Sequence, residues 1–406
     1  IHERLVGSEM CIRDRYKALG LICKVYVLSL MTDAYGDIPY NEAGKGDVSG
    51  LEFPHYQEQK EVYRLMLADL ETANQLLKSL KADATISDDI LFNGDAVKWR
   101  KYANSLKVRI LMRQSAKKDV SADIAAIFNN AQEYPVFTSI DDQATLVYNN
   151  TVDFYKWYIQ PKNLPSDGSG VIFGDNFRVS EAIVDALQTK DDPRLPVYVA
   201  PTKHSFEAHR ANASVPFVYR GQPAGLSAAE QNEIDKDDYS VLSSTIRSES
   251  RAFVMTFAEL QFLKAEAIIR GMITGNAADE YAKGIRASMQ KWAAISSDDV
   301  DVYLARPDVA LNTAQNEALK QIGTQAWIDS FLNGFEAFAN WRRTGYPELK
   351  VGTSVSSAIP VRYIYSDNEQ NNPNLISWTN EKIGRMVNET DMVWFQPQKW
   401  NTNVNR

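Results

Sequence analysis

Apolar residues recur at helical spacing in two parts of this 406-residue chain, 16–134 and 252–345. In the first part, Leu21, Val25 and Leu28 fall on one stripe of a helix, and similar spacing returns after each break in the pattern. A chain with this spacing folds into helices that pair through their apolar faces. The predicted helices are 16–35, 54–80, 96–113, 122–131, 252–271, 276–294 and 312–342.

The stretch MTDAYGDIPYNEA, residues 31–43, ends the first predicted helix. Gly36 allows a turn, and Pro39 prevents the helix from continuing. Tyr35 and Tyr40 are predicted to pack on neighbouring elements. The stretch is therefore either an ordinary helix stop or the hinge of a specific scaffold.

The helices predicted at 252–271 and 276–294 are joined by a short turn and form a hairpin of tetratricopeptide type. Ala282, Gly284 and Ala287 are small, which allows a close helix neighbour. No clean internal repeat accompanies the hairpin, so the resemblance to a tetratricopeptide array is partial.

Helical periodicity is mostly lost between the two helical parts, in an irregular excursion at 135–251, where one short helix is predicted at Ser180–Leu187. A region this long with little regular structure usually carries function. The segment 346–406 is also irregular, whereas 1–15 fits the rest poorly and is predicted to be a non-native leader. The expected organisation is one domain over 16–406.

The formal net charge of −8, without a run of Lys and Arg, argues against a nucleic-acid partner. Two cysteines, Cys11 and Cys23, cannot build a disulfide framework. No stretch holds 18 uninterrupted apolar residues, so no membrane span is predicted.

Catalytic and metal-binding patterns are missing from the sequence: there is no HExxH, no GxSxG and no P-loop. His204 and His209 are predicted to lie in a loop, with too few partners for a metal site. The acid pairs are predicted to cap helices or face solvent. The sequence therefore predicts neither an enzyme nor a cofactor or metal; the acid pairs are Asp88/Asp89, Asp191/Asp192 and Asp298/Asp299.

Six sequence blocks between Tyr16 and Asn374 together resemble the SusD/RagB family of nutrient-binding outer-membrane lipoproteins, in its SusD-like branch. The blocks are YGDIPYNEA, WRKYANSLKVRILMR, RLPVY, AELQFLKAEAIIRG, IGTQAWIDSFLNGFEAFANWRRTGYPEL and IPVRYIYSDNEQNNPN, in that order. The resemblance implies a mainly α fold, a tetratricopeptide-like helical superhelix with long irregular excursions.

The resemblance also implies a function. Such proteins are lipid-anchored on the outward face of the outer membrane in Bacteroidetes-type bacteria. They capture oligosaccharides, or sometimes peptides, and pass them to a SusC-like TonB-dependent transporter without transforming them. The family's signal peptide and lipidated cysteine are missing here or replaced by 1–15, so an anchor is inferred from the family alone.

The residues of these blocks are predicted to be mainly structural. Asn104, Arg109 and Glu266 lie beside apolar positions and are expected to bond to loop backbone. Glu336 and Arg343 are seven residues apart and share a helix face. Arg342 and Arg343 are expected to pin loops through carboxylates or carbonyls. The full set of structural positions is Tyr35, Gly36, Pro39, Trp99, Asn104, Arg109, Glu266, Glu336, Trp341, Arg342 and Arg343.

Sugar binding calls for flat aromatic faces with amide and carboxyl groups beside them. The best candidates lie in NTVDFYKWYIQPKNLPSDG, where aromatic and polar residues alternate without a helical pattern; Trp378 is a second candidate. The alternative, that these rings cover the scaffold, stays open. The first group of candidates is Tyr155, Trp157, Tyr158, Asn163 and Asp167.

Three functions remain compatible with the sequence. The first is non-catalytic capture of a glycan such as starch, the second is capture of peptide or another nutrient on the same scaffold, and the third is a tetratricopeptide-like adaptor that binds only protein.

Overall fold

The computed structural model describes residues 2–80, 86–148, 171, 177–247, 249–292, 294–352 and 359–397, with the backbone alone for 2–12. Most regular structure in these residues is helical. In chain order the helices are α1 (His2–Tyr35), α2 (Gly46–Ser49), α3 (Gln59–Lys78), α4 (Ala96–Gln114), α5 (Ser121–Asn129), α6 (Glu181–Gln188), α7 (Leu195–Tyr198), α8 (Lys203–Ala211), α9 (Ala228–Glu233), α10 (Ser244–Arg247), α11 (Phe257–Ile269), α12 (Ala277–Gln290), α13 (Ser297–Leu304), α14 (Gln315–Asp329), α15 (Gly334–Thr344), α16 (Asp367–Gln370) and α17 (Pro373–Ile383); the strands are β1 (Ala144–Val147) and β2 (Arg251–Met255).

The predicted mainly α fold with a tetratricopeptide-like scaffold is confirmed. Helices α1, α3 and α4 pack side by side, and α11 pairs with α12 and α14. Gly284 of α12 faces Phe262 of α11 so closely that a Cβ at Gly284 would come within 2.6 Å of the ring. The lack of a side chain at this position therefore sets the distance between the two helices of the hairpin.

Several predicted helix boundaries are wrong. The helix predicted at 252–271 begins only at Phe257, because Arg251–Met255 form strand β2, and the helix predicted at 54–80 begins at Gln59. Helix α1 begins at His2, well before the predicted start at residue 16. The single helix predicted at 312–342 is two helices, because the chain turns between α14 and α15 with Leu332 at a φ of 72°. The apolar spacing continues across this turn, so periodicity alone does not reveal it.

Several short helices were missed. Helices α7 to α10 lie in the region predicted to be irregular, and α17 lies in the supposedly irregular C-terminal segment. Each spans at most three turns, which is too short for an apolar stripe to stand out. Local signals for α17 are present in the sequence, since Asn372 caps it and Pro373 occupies its first turn.

The excursion is fastened to the helical scaffold. Strands β1 and β2 pair antiparallel and bring the two ends of the excursion together. Trp292, at the end of α12, packs with Tyr198 of the excursion and with Ile328 of α14 in one buried cluster. The described parts of the excursion thus share a core with the scaffold.

The stretch after α1, for which the sequence left open a helix stop or a hinge of the scaffold, turns the chain at Gly36. Gly36 has a φ of 83°, a conformation that favours glycine, and its N–H donates to the Thr32 carbonyl at 2.8 Å. The Tyr35 ring stacks on Tyr365 with centroids 5.8 Å apart. The Tyr40 hydroxyl donates to Asp69 of α3 at 2.7 Å. These contacts tie the end of α1 to both α3 and the C-terminal segment.

By length and composition, Arg13–Tyr35 of α1 could cross a membrane, although the sequence analysis predicted no span. Ala18, Ile22 and Val25 in this helix have no exposed surface. One face of α1 is therefore packed within the protein core.

Buried arginines and carboxylates join the helices of the scaffold. Arg109 of α4 donates to both Glu259 oxygens at 2.6 Å, and Arg113 donates to Glu336 at 2.8 and 2.6 Å. Asp33 of α1 lies 3.1 Å from the Arg113 Nε. We call these five residues the central charge cluster. It links α1, α4, α11 and α15 in the interior.

The carboxylates of the central charge cluster respond differently to burial. Burial raises the pKa of Asp33, and Arg113 only partly offsets this effect. Burial alone would also raise the pKa of Glu336, but Arg113 and Arg109 outweigh it and hold the pKa below its usual value. Glu336 is therefore the main partner of Arg113 and a second, more distant carboxylate for Arg109, which binds Glu259 directly.

The predicted partners of the block residues need correction. Asn104 does bond to loop backbone, through the Pro135 carbonyl at 3.0 Å. Arg109 bonds mainly to Glu259, with one bond of 3.1 Å to the Val254 carbonyl. Glu266 accepts from arginines and not from backbone, because two guanidinium groups lie within reach of its carboxylate.

Arg342 and Arg343 reach different kinds of partner, as the sequence analysis allowed. Arg342 donates to the Val361 carbonyl at 3.0 Å and so holds the loop that precedes α16. Arg343 donates to both oxygens of Glu266, at 2.6 and 2.7 Å, and so joins α15 to α11. Trp99 and Trp341 are both buried.

Acid pairs were expected to cap helices or face solvent, and Asp192 does neither. It is buried and holds Arg194, whose side chain has no exposed surface, at 2.6 Å. Asp89 does serve a turn, since it accepts from the Gly94 N–H at 2.9 Å. A pair of adjacent aspartates in the sequence therefore need not be exposed, because a nearby arginine can hold one of the carboxylates in the interior, as Arg194 holds Asp192.

Glu266 is expected to make stability depend on acid pH. Burial opposes its ionisation, but Arg343 and Arg270 lower the pKa of Glu266 from 4.5 to about 2. A depressed pKa stabilises the folded state above pH 4.5, and this contribution is lost as the pH falls from 4.5 towards 2. Urea unfolding measured at several pH values between 4.5 and 2 gives the free energy of unfolding. As the pH falls, this free energy should decrease less steeply in Glu266→Gln than in the native chain. Equal slopes would contradict the assignment.

Candidate functional site

The predicted ligand residues fall into two groups in the structure. Tyr155, Trp157, Tyr158, Asn163 and Asp167 lie outside the described residues, and their role stays a prediction. Trp378 lies on α17 and lines a cleft with a volume of about 480 Å³.

This cleft, which we call the Trp378 cleft, lies between α17, the segment after it, and the junction of α1 with α3. Its walls come from parts of the chain that are more than 300 residues apart in sequence. They include aromatic, apolar and charged side chains, namely those of Asp37, Glu58, Gln59, Lys60, Arg362, Tyr365, Trp378, Thr379, Lys382, Ile383, Val387, Asp391, Met392, Val393 and Trp394, with Gly36 contributing backbone.

Trp378 is held in a fixed orientation. Its indole N–H donates to Asp37 Oδ2 at 2.9 Å, and Asp37 Oδ1 accepts from the Gln59 N–H at 2.8 Å. The ring packs against the buried cluster of Tyr56, Tyr365 and Leu375. The half-buried indole is therefore set before any ligand arrives, which lowers the entropy cost of binding.

Charged side chains line one side of the cleft. The Lys382 ammonium lies 4.8 Å from the centroid of the Trp378 ring and is paired with Glu58. Lys60 also pairs with Glu58, at 2.6 Å. Hydrogen bonds from Lys382 and Lys60 lower the pKa of Glu58, so this carboxylate is ionised and accepts hydrogen bonds at neutral pH. The Lys382 side chain is exposed and lies over one face of the Trp378 ring.

Trp394 is a cleft residue that sequence reasoning missed. It is half-buried, and its ring centroid lies 6.0 Å from that of Tyr63. In the described part of the chain its indole N–H has no hydrogen-bond acceptor, which leaves a donor at the cleft wall. The only sequence signal was the density of aromatic residues in the C-terminal segment.

The carboxylates of the cleft have partners of their own. Asp391 accepts from both terminal nitrogens of Arg385, at 2.8 and 2.7 Å, and Arg385 lowers its pKa. Asp37 positions Trp378, and Glu58 holds two lysines. This arrangement suits hydrogen bonding to hydroxyl groups more than proton transfer, because a general acid needs a raised pKa.

His204 and His209 lie on α8 and not in a loop, so that part of the prediction is wrong. The His204 Nε2–H donates a hydrogen bond to the Asp235 carboxylate at 3.0 Å, and Asp238 is 3.9 Å away. This hydrogen bond raises the pKa of His204. All three side chains are exposed, and the group reads as a surface ion pair. His209 instead bonds the Val215 carbonyl at 2.7 Å.

The structure thus combines a helical scaffold with an open cleft, an oriented tryptophan in the cleft wall and paired charges beside it. These features are typical of proteins that bind a ligand in a cleft. The sequence model of the SusD-like family, described as starch-binding and associating with the outer membrane, matches residues 2–366. The chain belongs to the SusD-like family. No protein of curated function matches it.

Solved structures agree with this assignment. An outer-membrane protein of Bacteroides vulgatus, described as involved in nutrient binding, is 27% identical with a TM-score of 0.80, covering 94% of this chain and 85% of its own. A chitin-binding protein is 29% identical with a TM-score of 0.73, covering 94% and 81%. A chitin-binding SusD homologue of Flavobacterium johnsoniae is 25% identical with a TM-score of 0.76, covering 94% and 81%.

Proposed function

We propose that this protein captures oligosaccharides at the cell surface without transforming them and delivers them to a partner TonB-dependent outer-membrane transporter. The observation that carries the proposal is the Trp378 cleft on a scaffold of the SusD-like family. The proposal is supported by the family, described as starch-binding and associating with the outer membrane, by the nutrient-binding outer-membrane protein of Bacteroides vulgatus and by the chitin-binding neighbours. A lipid anchor on the outward face of that membrane is part of the proposal.

The chemistry of the cleft suits a sugar. An indole face attracts the C–H side of a pyranose ring, and the ionised Glu58 and the lysines beside it hydrogen-bond hydroxyl groups. The free N–H of Trp394 adds a donor on the wall. Because two of the neighbours bind chitin, chitin oligosaccharides are the first ligands to test, followed by starch oligosaccharides.

Peptide capture by the same cleft is the alternative within this class. The paired charges of Glu58, Lys60 and Lys382 would equally suit a peptide backbone and its termini. Calorimetry with oligosaccharides and with a mixed peptide library separates the two. A protein-only adaptor would bind neither.

Removing the cleft tryptophans is expected to weaken glycan binding. Replacing Trp378 by alanine should raise the Kd for the best-bound oligosaccharide by about tenfold or more, which corresponds to a loss of about 1.4 kcal/mol or more of binding free energy. Trp394→Ala should have a smaller effect in the same direction. Isothermal titration calorimetry measures both, with exposed Phe217→Ala as the matched control.

The predicted ligand residues that lie outside the described part of the chain are tested with a separate variant. A chain with Tyr155, Trp157 and Tyr158 replaced by alanine tests whether they bind the same ligand. Loss of binding in this variant with full binding in Trp378→Ala would move the site away from the Trp378 cleft.

Delivery to a transporter is tested in the native membrane. Affinity purification of the tagged protein from the outer membrane should bring down a large β-barrel transporter. Incubation with the bound oligosaccharide, followed by chromatography of the sugar, should return it uncleaved. Cleavage of the sugar would overturn the non-catalytic role.

A further inference from the structure

A second recess lies where the end of α11, the start of α14 and the chain after α15 meet. It has a volume of about 170 Å³ and shares no described lining residue with the Trp378 cleft. We call it the Arg270 pocket. It is lined by Glu266, Arg270, Asn316, Leu319, Thr344 and Tyr346.

The charges at the base of this pocket do not cancel. The single carboxylate of Glu266 faces two guanidinium groups, those of Arg343 and Arg270. Arg343 takes both Glu266 oxygens, and Arg270 donates only its Nε to one of them, at 2.8 Å. Arg270 thus shares a carboxylate that already binds a second guanidinium group through both of its oxygens.

Arg270 presents its charge in a fixed orientation. Its Nε is tied to buried Glu266, while its two terminal nitrogens have no partner in the part of the chain that the structure describes. The side chain is 34% exposed, so the free edge reaches solvent. An arginine fork held in this way matches the two oxygens of a carboxylate.

The other walls suit the ring of a sugar. Tyr346 and Leu319 provide apolar surface, and the Asn316 side-chain amide has no described hydrogen-bond partner. A water molecule takes about 30 Å³, so the pocket holds about six waters. That is room for one acidic group with part of the ring that carries it. The acidic Glu317 and the Lys320–Glu348 pair lie near the rim, where solvent and salt screen them.

We propose that the Arg270 pocket binds the carboxylate of an acidic sugar residue, a hexuronic acid unit, through the free edge of Arg270. Asn316 contacts a ring hydroxyl and Tyr346 packs on the ring. This inference rests on the proposed glycan capture and narrows it, because it gives the protein a second subsite that selects for acidic sugars.

The test compares glucuronic acid with glucose, which share the ring and differ in the carboxylate. Ligand-detected NMR and calorimetry on the full chain should show glucuronic acid binding more tightly than glucose. In Arg270→Gln the Kd for glucuronic acid should rise by about tenfold or more. Arg270→Lys, which keeps the charge and loses the fork, should fall between the two.

The matched control is Arg286→Gln. Arg286 also pairs with one carboxylate, Asp301, at 2.6 Å, but on α12 outside the pocket. The affinity of Arg286→Gln for glucuronic acid should stay within about twofold of that of the native chain. Thermal unfolding should show that Arg286→Gln and Arg270→Gln both fold. Equal affinity for the acid and the neutral sugar, or unchanged glucuronic acid affinity in Arg270→Gln, would overturn the inference and leave Arg270 as a surface ion pair.

The outcomes separate this inference from the proposed function. If neutral oligosaccharides bind and depend on Trp378 while glucuronic acid binding ignores Arg270, the function stands and the pocket fails. If neutral oligosaccharides do not bind but glucuronic acid does so through Arg270, the pocket stands and the role of the Trp378 cleft fails.

Discussion

Replacing Glu336 by alanine is expected to lower the free energy of unfolding by about 3–5 kcal/mol, as for a buried ion pair that loses one partner. Glu336 is 6% exposed and accepts both bonds from Arg113, and Arg109 lies 3.6 Å away. Its removal leaves two buried arginines to share Glu259 and Asp33. Urea denaturation followed by circular dichroism measures the loss.

The control for this experiment is an exposed pair of the same kind. Glu61→Ala removes a carboxylate bound to Arg64 at 2.6 Å on the surface of α3, and should cost at most about 1 kcal/mol because solvent screens such pairs. A double variant, Arg113→Met with Glu336→Leu, should be less destabilised than the two single losses added together, because both partners of the Arg113–Glu336 pair are removed at once, although Asp33 also loses Arg113. If Glu336→Ala lost no more free energy of unfolding than Glu61→Ala, the central charge cluster would not stabilise the fold.

Replacing Trp292 by alanine is the second change with a large expected effect, a loss of about 3–5 kcal/mol. The side chain is 1% exposed, its N–H donates to the Tyr198 hydroxyl at 3.3 Å, and its ring meets Phe253 edge-on at 5.8 Å. Alanine would leave a cavity in the cluster that joins the excursion to the scaffold. Amide hydrogen exchange should then show faster exchange in α6 and α7 than in α3.

Phe335→Ala serves as the control, because this ring is 53% exposed and its loss should change stability by about 0.5 kcal/mol or less. If amide exchange in Trp292→Ala became faster to the same extent in α3 and α7, the protein would unfold as one unit. The cluster around Trp292 would then not connect two separately unfolding parts.

The family and the scaffold were predictable because their signals are local. Apolar spacing located α4, α12 and the C-terminal ends of α3 and α11 to within a few residues, and the small residues of the hairpin predicted the close approach that Gly284 makes to Phe262. Prediction failed where a helix was too short to show an apolar stripe, and where the apolar spacing continued across a turn between two helices. Helix α17 is three turns long, and the turn at Leu332 lies within an unbroken apolar pattern.

The candidate site was predictable only in part. Trp378 was chosen for its residue type, yet its orientation depends on Asp37, which lies 341 residues away in sequence. Trp394 carried no motif and was missed. Of the residues that line the Arg270 pocket, the sequence analysis singled out only Glu266, and no spacing in the sequence indicates that Arg270, Asn316 and Tyr346 share a recess.

The sequence by itself determined the longer helices of the scaffold, where the first helix ends and which family the chain resembles, since helical periodicity and turn residues act over a few neighbours. Only the tertiary structure decided which carboxylate each buried arginine holds, and which distant side chains meet in a cleft. Those pairings depend on how helices pack, because a buried charge takes the partner that packing brings within hydrogen-bond distance, and the spacing of residues along the chain does not specify that partner.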